Sequence, residues 1–291
     1  MSDKPQVITV YLSKGGCSKS TLAALLASYL AGLGGRVAIV DMDRQGSQSE
    51  IFDLIGEDGR AGEILHMVLK RRVDAQTALT PIPADMIPRI EGCDPGALYV
   101  LQGGPQTSEA IDDILSNPVR YKIANTLDIV RLVIADLAGA LDYVVIDMGP
   151  SDQLATIAGL VASDYLLIPT QTDFLSVSRI APALEEVTVA RQAQPINIIG
   201  IVTVQTRYYF GRLRKSKSVQ VGEEFIRANY DDLLLRDDKG EPIDIPYDEA
   251  WRNAMWSGQN VLIAESGRRV RDDALRFCRA VVSELTPEVP A

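Results

Sequence analysis

Residues 13–21 read Ser-Lys-Gly-Gly-Cys-Ser-Lys-Ser-Thr, SKGGCSKST, preceded by VITVYL at 7–12 and continued by TLAALLASYL at 21–30. A β-branched and aromatic run, a turn with two glycines and an alanine- and leucine-rich stretch give the order strand, loop, helix. In that order backbone N–H groups and a helix N-terminus converge on one point and attract phosphate. The stretch departs from the usual phosphate-loop pattern G-x-x-x-x-G-K-[ST], because Ser13 and Ser18 stand at both fixed glycines. Gly15 and Gly16 still supply unusual backbone angles, Lys19 a reach to the β- and γ-phosphates, Ser20 a hydroxyl for Mg2+ and Thr21 one for the α-phosphate. A Ser/Gly turn that merely joins strand to helix is the other reading of the same residues.

Working outward, short apolar runs at 37–41 (VAIVD), 98–102 (LYVLQ), 142–147 (DYVVID), 165–170 (YLLIPT) and 196–204 (INIIGIVTV) predict further strands, and IDIP at 243–246 a short last one. Helices are predicted over about 20–33, over GEILHMVLKRR at 62–72, over 107–140 with an interruption at Pro118, and over about 267–285. TPIPADMIP at 80–88 reads as loop. Apolar strands alternating with helices imply an α/β fold, a doubly wound, mostly parallel sheet covered on both faces. One such domain accounts for residues 1–291, with no repeat or Gly/Ser-rich linker to divide it.

Ligands of such sheets bind beyond the carboxyl ends of the strands, and two predicted strands end on acids there. Asp147 closes a wholly apolar strand, so a role in holding a Mg2+-bound water is more economical than an unpaired charge at the rim of a core. Asp43 precedes a polar turn, RQGSQS, suited to a loop that orients water. Asp41 is open to two readings, a structural partner of Lys19 or Lys14, or a chemical group.

Composition narrows the classes. The 291 residues are 46% hydrophobic and 23% charged, within the ordinary globular range. Cys17, Cys93 and Cys278 form no CxxC pair and His66 is the only histidine, which argues against disulfide, zinc and iron–sulfur frameworks. The apolar run from Leu22 is too short to span a bilayer and MSDKPQ lacks a signal-peptide pattern, so a cytoplasmic location is expected. A net charge of -10 argues against a protein wrapped in nucleic acid, yet RYYFGRLRKSK from Arg207 and RRVRDDALRFCR from Arg268 leave room for a local basic face. Either could equally be a solvated surface of long side chains. His66 reads as structural or exposed, Cys17 as a small buried apolar residue, and Trp251 and Trp256 as core or interface packing rather than base-stacking groups.

Lys14-Gly15-Gly16, two variable positions, then Lys19-Ser20-Thr21 resembles the deviant phosphate loop of the ParA/MinD superfamily, K-G-G-x-x-K-[ST]-[ST]. DMDRQGS from Asp41 is similar to that family's switch I, with Arg44 in place of proline. DYVVIDMGPS from Asp142 is similar to its Walker B and switch II, with Gly149 in place of the first proline. Only residues 75–125 match poorly, a possible family-specific insertion. The resemblance implies an ATP site built from Lys14, Gly15, Gly16, Cys17, Ser18, Lys19, Ser20, Thr21 and Gly149, with Mg2+ associated with Ser20, Asp43 and Asp147. It implies catalytic roles for Lys14, Lys19, Asp43 and Asp147, with Lys14 the signature lysine that crosses to the partner's phosphates in an ATP-sandwich homodimer.

Within the superfamily, the acidic, Pro-rich ending SELTPEVPA is unlike a membrane-binding helix, and no membrane partner is expected. The pattern is similar to short ParA-type partition ATPases. That implies nucleoid-associated, non-specific DNA binding and slow hydrolysis stimulated by a ParB-like, centromere-binding adaptor. Arg207, Arg212, Arg214, Lys215, Lys217, Arg268, Arg269 and Arg271 are the candidate phosphate-contacting residues, with Arg276 and Arg279 as further candidates. A nucleotide-gated switch that positions a protein scaffold and does not bind DNA is the alternative.

Overall fold

The structure is a computed structural model that describes residues 4–56, 62–90, 92–121, 123, 125–150, 153–192, 194–209, 214–256, 261–263 and 267–285. The chain runs through β1 (Gln6–Val10), α1 (Lys19–Gly32), β2 (Arg36–Asp41), α2 (Ser47–Ile51), α3 (Leu65–Leu69), β3 (Thr80–Pro81), β4 (Ala97–Leu101), α4 (Pro105–Ser116) and α5 (Ile129–Asp136). It continues through β5 (Tyr143–Asp147), α6 (Gln153–Ala162), β6 (Tyr165–Thr170), α7 (Phe174–Val177), α8 (Ile180–Arg191), β7 (Asn197–Thr206), β8 (Tyr208–Tyr209), β9 (Arg214–Lys215), α9 (Lys217–Tyr230), β10 (Asp244–Pro246), α10 (Glu249–Trp256) and α11 (Arg268–Leu285).

Eight strands form one sheet in the order β10-β7-β6-β1-β5-β2-β4-β3, parallel throughout except for the antiparallel edge pair of β3 with β4. Strands covered on both faces carry apolar side chains on both, which is why β1, β2, β5 and β6 read as unbroken runs. The chain departs from β1 to one side through β2 and β4, then returns through β5 and continues through β6, β7 and β10 on the other side. The crevice at the carboxyl end of β1 is the reversal point where ligands of such sheets bind. Helix α1 carries apolar residues all round, as a helix enclosed on every side does, and nearly all of its residues are buried.

One expectation is borne out by the fold and two are corrected. The helical stretch expected over 107–140 with an interruption at Pro118 is two helices, α4 and α5, and the chain resumes helix only after a short 3-10 turn at Thr126–Asp128. The helix predicted over 62–72 shrinks to α3. Residues 80–88 are not all loop: Thr80 and Pro81 pair at the sheet edge, where a proline's missing N–H is tolerated. The basic cluster from Arg207 folds into a hairpin of β8 and β9 leading into α9.

The loop after β4 lies against the switch loop after β2 with backbone touching backbone. A Cβ on Gly103 would come within 1.8 Å of the Asp41 carbonyl oxygen, and one on Gly46 within 3.2 Å of the Gly103 carbonyl. Gly103→Ala is therefore expected to force the two loops apart and to destabilise the fold by about 2–4 kcal/mol, read as a lower thermal midpoint. An unchanged midpoint would contradict this backbone contact.

Candidate functional site

Gly16 and Ser18 both turn through positive φ, +76° and +60°. Glycine does so freely, whereas a serine in that region costs on the order of 1–2 kcal/mol. Neighbouring side chains hold the strained turn. Gln205 Nε2 donates to the Gly16 carbonyl at 2.8 Å and to Ser18 Oγ at 2.9 Å, and Gln171 Nε2 donates to the same carbonyl at 3.1 Å. Cys17 is 1% exposed, its thiol donates to the Lys14 carbonyl at 3.2 Å, and burial raises its pKa, which suits the small buried role expected of it. Lys19, also buried, lies back across the loop and donates to the Lys14 carbonyl at 2.7 Å. A Cβ added at Gly15 would only just reach Pro150 in the turn after β5, at 4.0 Å.

Lys14 points away from the loop it begins. Its ammonium bonds both Asp173 oxygens at 3.0 Å and the Ser176 hydroxyl, while Asp173 caps α7 by accepting from the Ser176 amide at 3.1 Å. Asp173 was not anticipated from sequence, and a lone acid after a strand carries no signal of such a pairing.

Three carboxylates gather opposite the loop. Register places Asp41 beside Asp147 on adjacent parallel strands, and Val10, where β1 ends, on Asp147's other side. Asp41 and Asp147 are wholly buried and Asp43 is 8% exposed. Burial, with the neighbouring Asp147 charge, raises the Asp41 pKa well above the usual carboxylate range. Burial pushes Asp147 up to about 6, against hydrogen bonding to Gln48 and Ser20.

Asp41 accepts the backbone N–H of Asp43 at 3.1 Å and of Gln48 at 3.0 Å. Backbone amides rather than Lys14 or Lys19 are thus the partners in its structural role. Gln48 Nε2 donates to Asp147 Oδ2 at 2.7 Å and to the Ser20 carbonyl at 3.0 Å, bridging the switch loop, β5 and the phosphate loop. Sequence reading passed over Gln48 as part of a polar turn. Gly149 lies under Asp43, where an added Cβ would stand 3.1 Å from Asp43 Oδ1, so glycine lets the two switch segments close on each other.

A cavity of about 220 Å3 opens beside the loop, lined by Ser18, Thr21, Gln205, Tyr247, Asp248 and Trp251 among others. Trp251 packs on the core as expected, and it also walls this cavity with its indole N–H buried and unpartnered. Trp256 closes α10, and its side chain lies outside the described residues.

The candidate basic residues do not form one set. Arg207 is exposed, its guanidinium 5.5 Å from the centre of the Tyr247 ring, and Lys217 is exposed at the start of α9. Lys215 turns inward: it pairs with Glu223 and, at 3.6 Å, with Asp244, so its charge is already neutralised within the fold. Arg276 is likewise bound to Asp237 at 2.7 Å. Arg268, Arg269 and Arg271 are exposed in the first turn of α11, and Arg279 is exposed further along it. Arg214 pairs through its backbone with Tyr209, while its side chain and Arg212 lie outside the described residues.

A family model described as the CobQ/CobB/MinD/ParA nucleotide binding domain matches residues 8–221, and the chain belongs to that family. Among curated relatives it is 33% identical over 175 residues to a protein named as a replication protein A from Rhizobium rhizogenes, covering 59% of this chain and 41% of that one. It is 27% identical over 240 residues to the chromosome partitioning protein ParA of Caulobacter vibrioides, covering 80% of each. The fold matches Cyanothece McdA(D38A) in complex with ATP, with a TM-score of 0.76, 18% identity and 99% of both chains covered. It also matches cobyrinic acid a,c-diamide synthase of Mycobacterium smegmatis with a bound ATP analogue and magnesium, with a TM-score of 0.72, 20% identity and 97% and 96% of the two chains covered.

The crowding of buried acids makes a stability prediction. Asp147→Asn keeps an acceptor for Gln48 and removes one of the mutually repelling charges. Without nucleotide or divalent ion at pH 7.5, it should raise stability by about 1 kcal/mol, a thermal midpoint about 2–4 °C higher. A lower midpoint would mean that the fold itself needs this carboxylate.

Proposed function

We propose that the chain is an ATPase of the ParA type, folded as one domain over residues 1–291, that binds ATP with Mg2+ and dimerises around the nucleotides. The observation that carries the nucleotide reading is the set of buried carboxylates facing Lys19 and Ser20, a costly arrangement without a cation. Asp147 Oδ1 and Gln48 Oε1 are both enclosed without a hydrogen-bond partner, which suits a site completed by a hydrated cation. Among the described residues no three His, Cys, Asp or Glu side chains converge as a metal cage. Mg2+ keeps several waters and leans on phosphate rather than on a full protein cage. Ser20, Asp147 and Asp43 would hold it, and when bound it would neutralise phosphate charge. Lys19 would leave the Lys14 carbonyl for phosphate oxygens, and Asp43, supported on Gly149, would orient the attacking water.

Lys14 is the residue that would link hydrolysis to assembly. Its ammonium rests on Asp173 at the edge of the site, so it can serve a second subunit only by leaving that carboxylate. A cation that arrives only in a dimer makes hydrolysis slow until assembly or a ParB-like partner completes the site.

For DNA, Arg268, Arg269 and Arg271 are the strongest candidates. Three arginines in the first turn of a helix oppose its dipole, and no acid in that turn offsets them. A bound polyanion would relieve that repulsion, with Lys217 and Arg207 adding to the surface. The inward pairing of Lys215 and the net charge of -10 instead favour the second reading, a nucleotide-gated scaffold switch without DNA contact. Among the described residues no helix is long and apolar enough to cross a membrane.

The two readings part on DNA retention measured with ATP, with ADP and without nucleotide across a range of salt. The partition reading expects salt-sensitive retention with ATP alone, lost in an Arg268/Arg269/Arg271→Glu variant and in Lys14→Ala, which should also fail to dimerise in sedimentation. Equal, weak retention in all three states favours the scaffold switch.

A further inference from the structure

Among the described residues five other than glycine have positive φ, and two of these, Ser18 at +60° and Gln205 at +55°, are hydrogen-bonded to each other. Gln205 stands where the ladder between β7 and β10 slips: Ile245 pairs with Val204 and Pro246 with Thr206, leaving Gln205 as the extra residue of a bulge. The bulge aims its amide across to the phosphate loop. Both Nε2 hydrogens are used, on the Gly16 carbonyl and on Ser18 Oγ, and Oε1 accepts from Gln171 Nε2 at 2.7 Å. The amide is satisfied on every side, so its orientation is fixed.

The same two residues line the cavity beside the loop, together with Tyr247 and Trp251. We propose that Gln205 and Ser18 form a latch that couples a nucleobase in this cavity to the grip of the loop on phosphate. The inference rests on the nucleotide reading above and assigns these two as positioning residues. A base filling the cavity packs against both and opposes opening of the latch. A triphosphate drawn to the loop's N–H groups fixes Gly16 and Ser18, the partners on which Gln205 depends. Two left-handed residues that lack glycine's freedom keep their conformation only while the surroundings hold it, so the arrangement is one that ligands can tip. Ligands that favour the same closed arrangement raise each other's affinity, by the same factor in both directions.

The two halves of the nucleotide, adenosine and inorganic tripolyphosphate, test this by calorimetric titration of the full chain with Mg2+. In the wild type, saturating tripolyphosphate should raise adenosine affinity about 10-fold, and adenosine should do the same for tripolyphosphate. Gln205→Met keeps length and neutrality but cannot donate, and the coupling should fall below about twofold while ATP still binds. Ser18→Gly removes the hydroxyl and relieves its φ. Its coupling should fall as well, and adding Gln205→Met, which also removes the bond to the Gly16 carbonyl, should leave the coupling no higher than in Gln205→Met alone. A wild-type coupling factor of one, or full coupling in Gln205→Met, overturns the latch and leaves the nucleotide reading standing. Failure of ATP and of both halves to bind overturns the nucleotide reading and the latch with it.

Discussion

Two carboxylates buried side by side at the ends of adjacent strands set the terms for the rest of the molecule. Asp41 and Asp147 share a register in the parallel sheet, and neither reaches water. Burial raises both pKa values, with the Asp147 charge adding to the rise at Asp41 and the Asp43 charge to the rise at Asp147. Asp41 spends its oxygens on the backbone of the switch loop and so fixes where Asp43 and Gln48 stand. Asp147 keeps one oxygen without a hydrogen-bond partner, while Gln48 links its other oxygen to the Ser20 carbonyl. The sheet supplies this arrangement through strand order alone, since β5 lies between β1 and β2.

Around that centre the cations rest on partners within the fold. Lys19 donates to a carbonyl of its own loop, and Lys14 is bound by Asp173 and Ser176. Both partners are ones a cation can exchange for phosphate oxygens. Glutamines fasten the loop itself from the far side, at the ends of β6 and β7. Loop, carboxylates and cavity therefore meet at one end of the sheet, each held by a different strand.

Much of this was legible in the sequence because buried parallel strands carry a strong signal. VITVYL, VAIVD, DYVVID and YLLIPT could hardly be anything but inner strands, and the acids that end VAIVD and DYVVID pointed to the site before any contact was known. The family resemblance of residues 14–21 added Lys14, and the family itself is established by the match over residues 8–221. What escaped depends on distant partners. Lys215 reads as a free cation until Glu223 and Asp244 fold against it. Gln205 is one polar residue past an apolar run, and only the bulge opposite Pro246 turns it onto Ser18. Ser18 looked like a tolerated departure from glycine, whereas in the fold its hydroxyl compensates the conformation that glycine would adopt freely.

The most direct test of the central claim is a calorimetric titration of ATP into the wild type and Asp147→Asn, each with Mg2+ and with EDTA. If the buried carboxylates exist to receive a phosphate-bound cation, Mg2+ should strengthen ATP binding to the wild type at least 10-fold, and this gain should largely vanish in Asp147→Asn. ATP binding indifferent to Mg2+, or a gain unaltered by the substitution, would contradict the account.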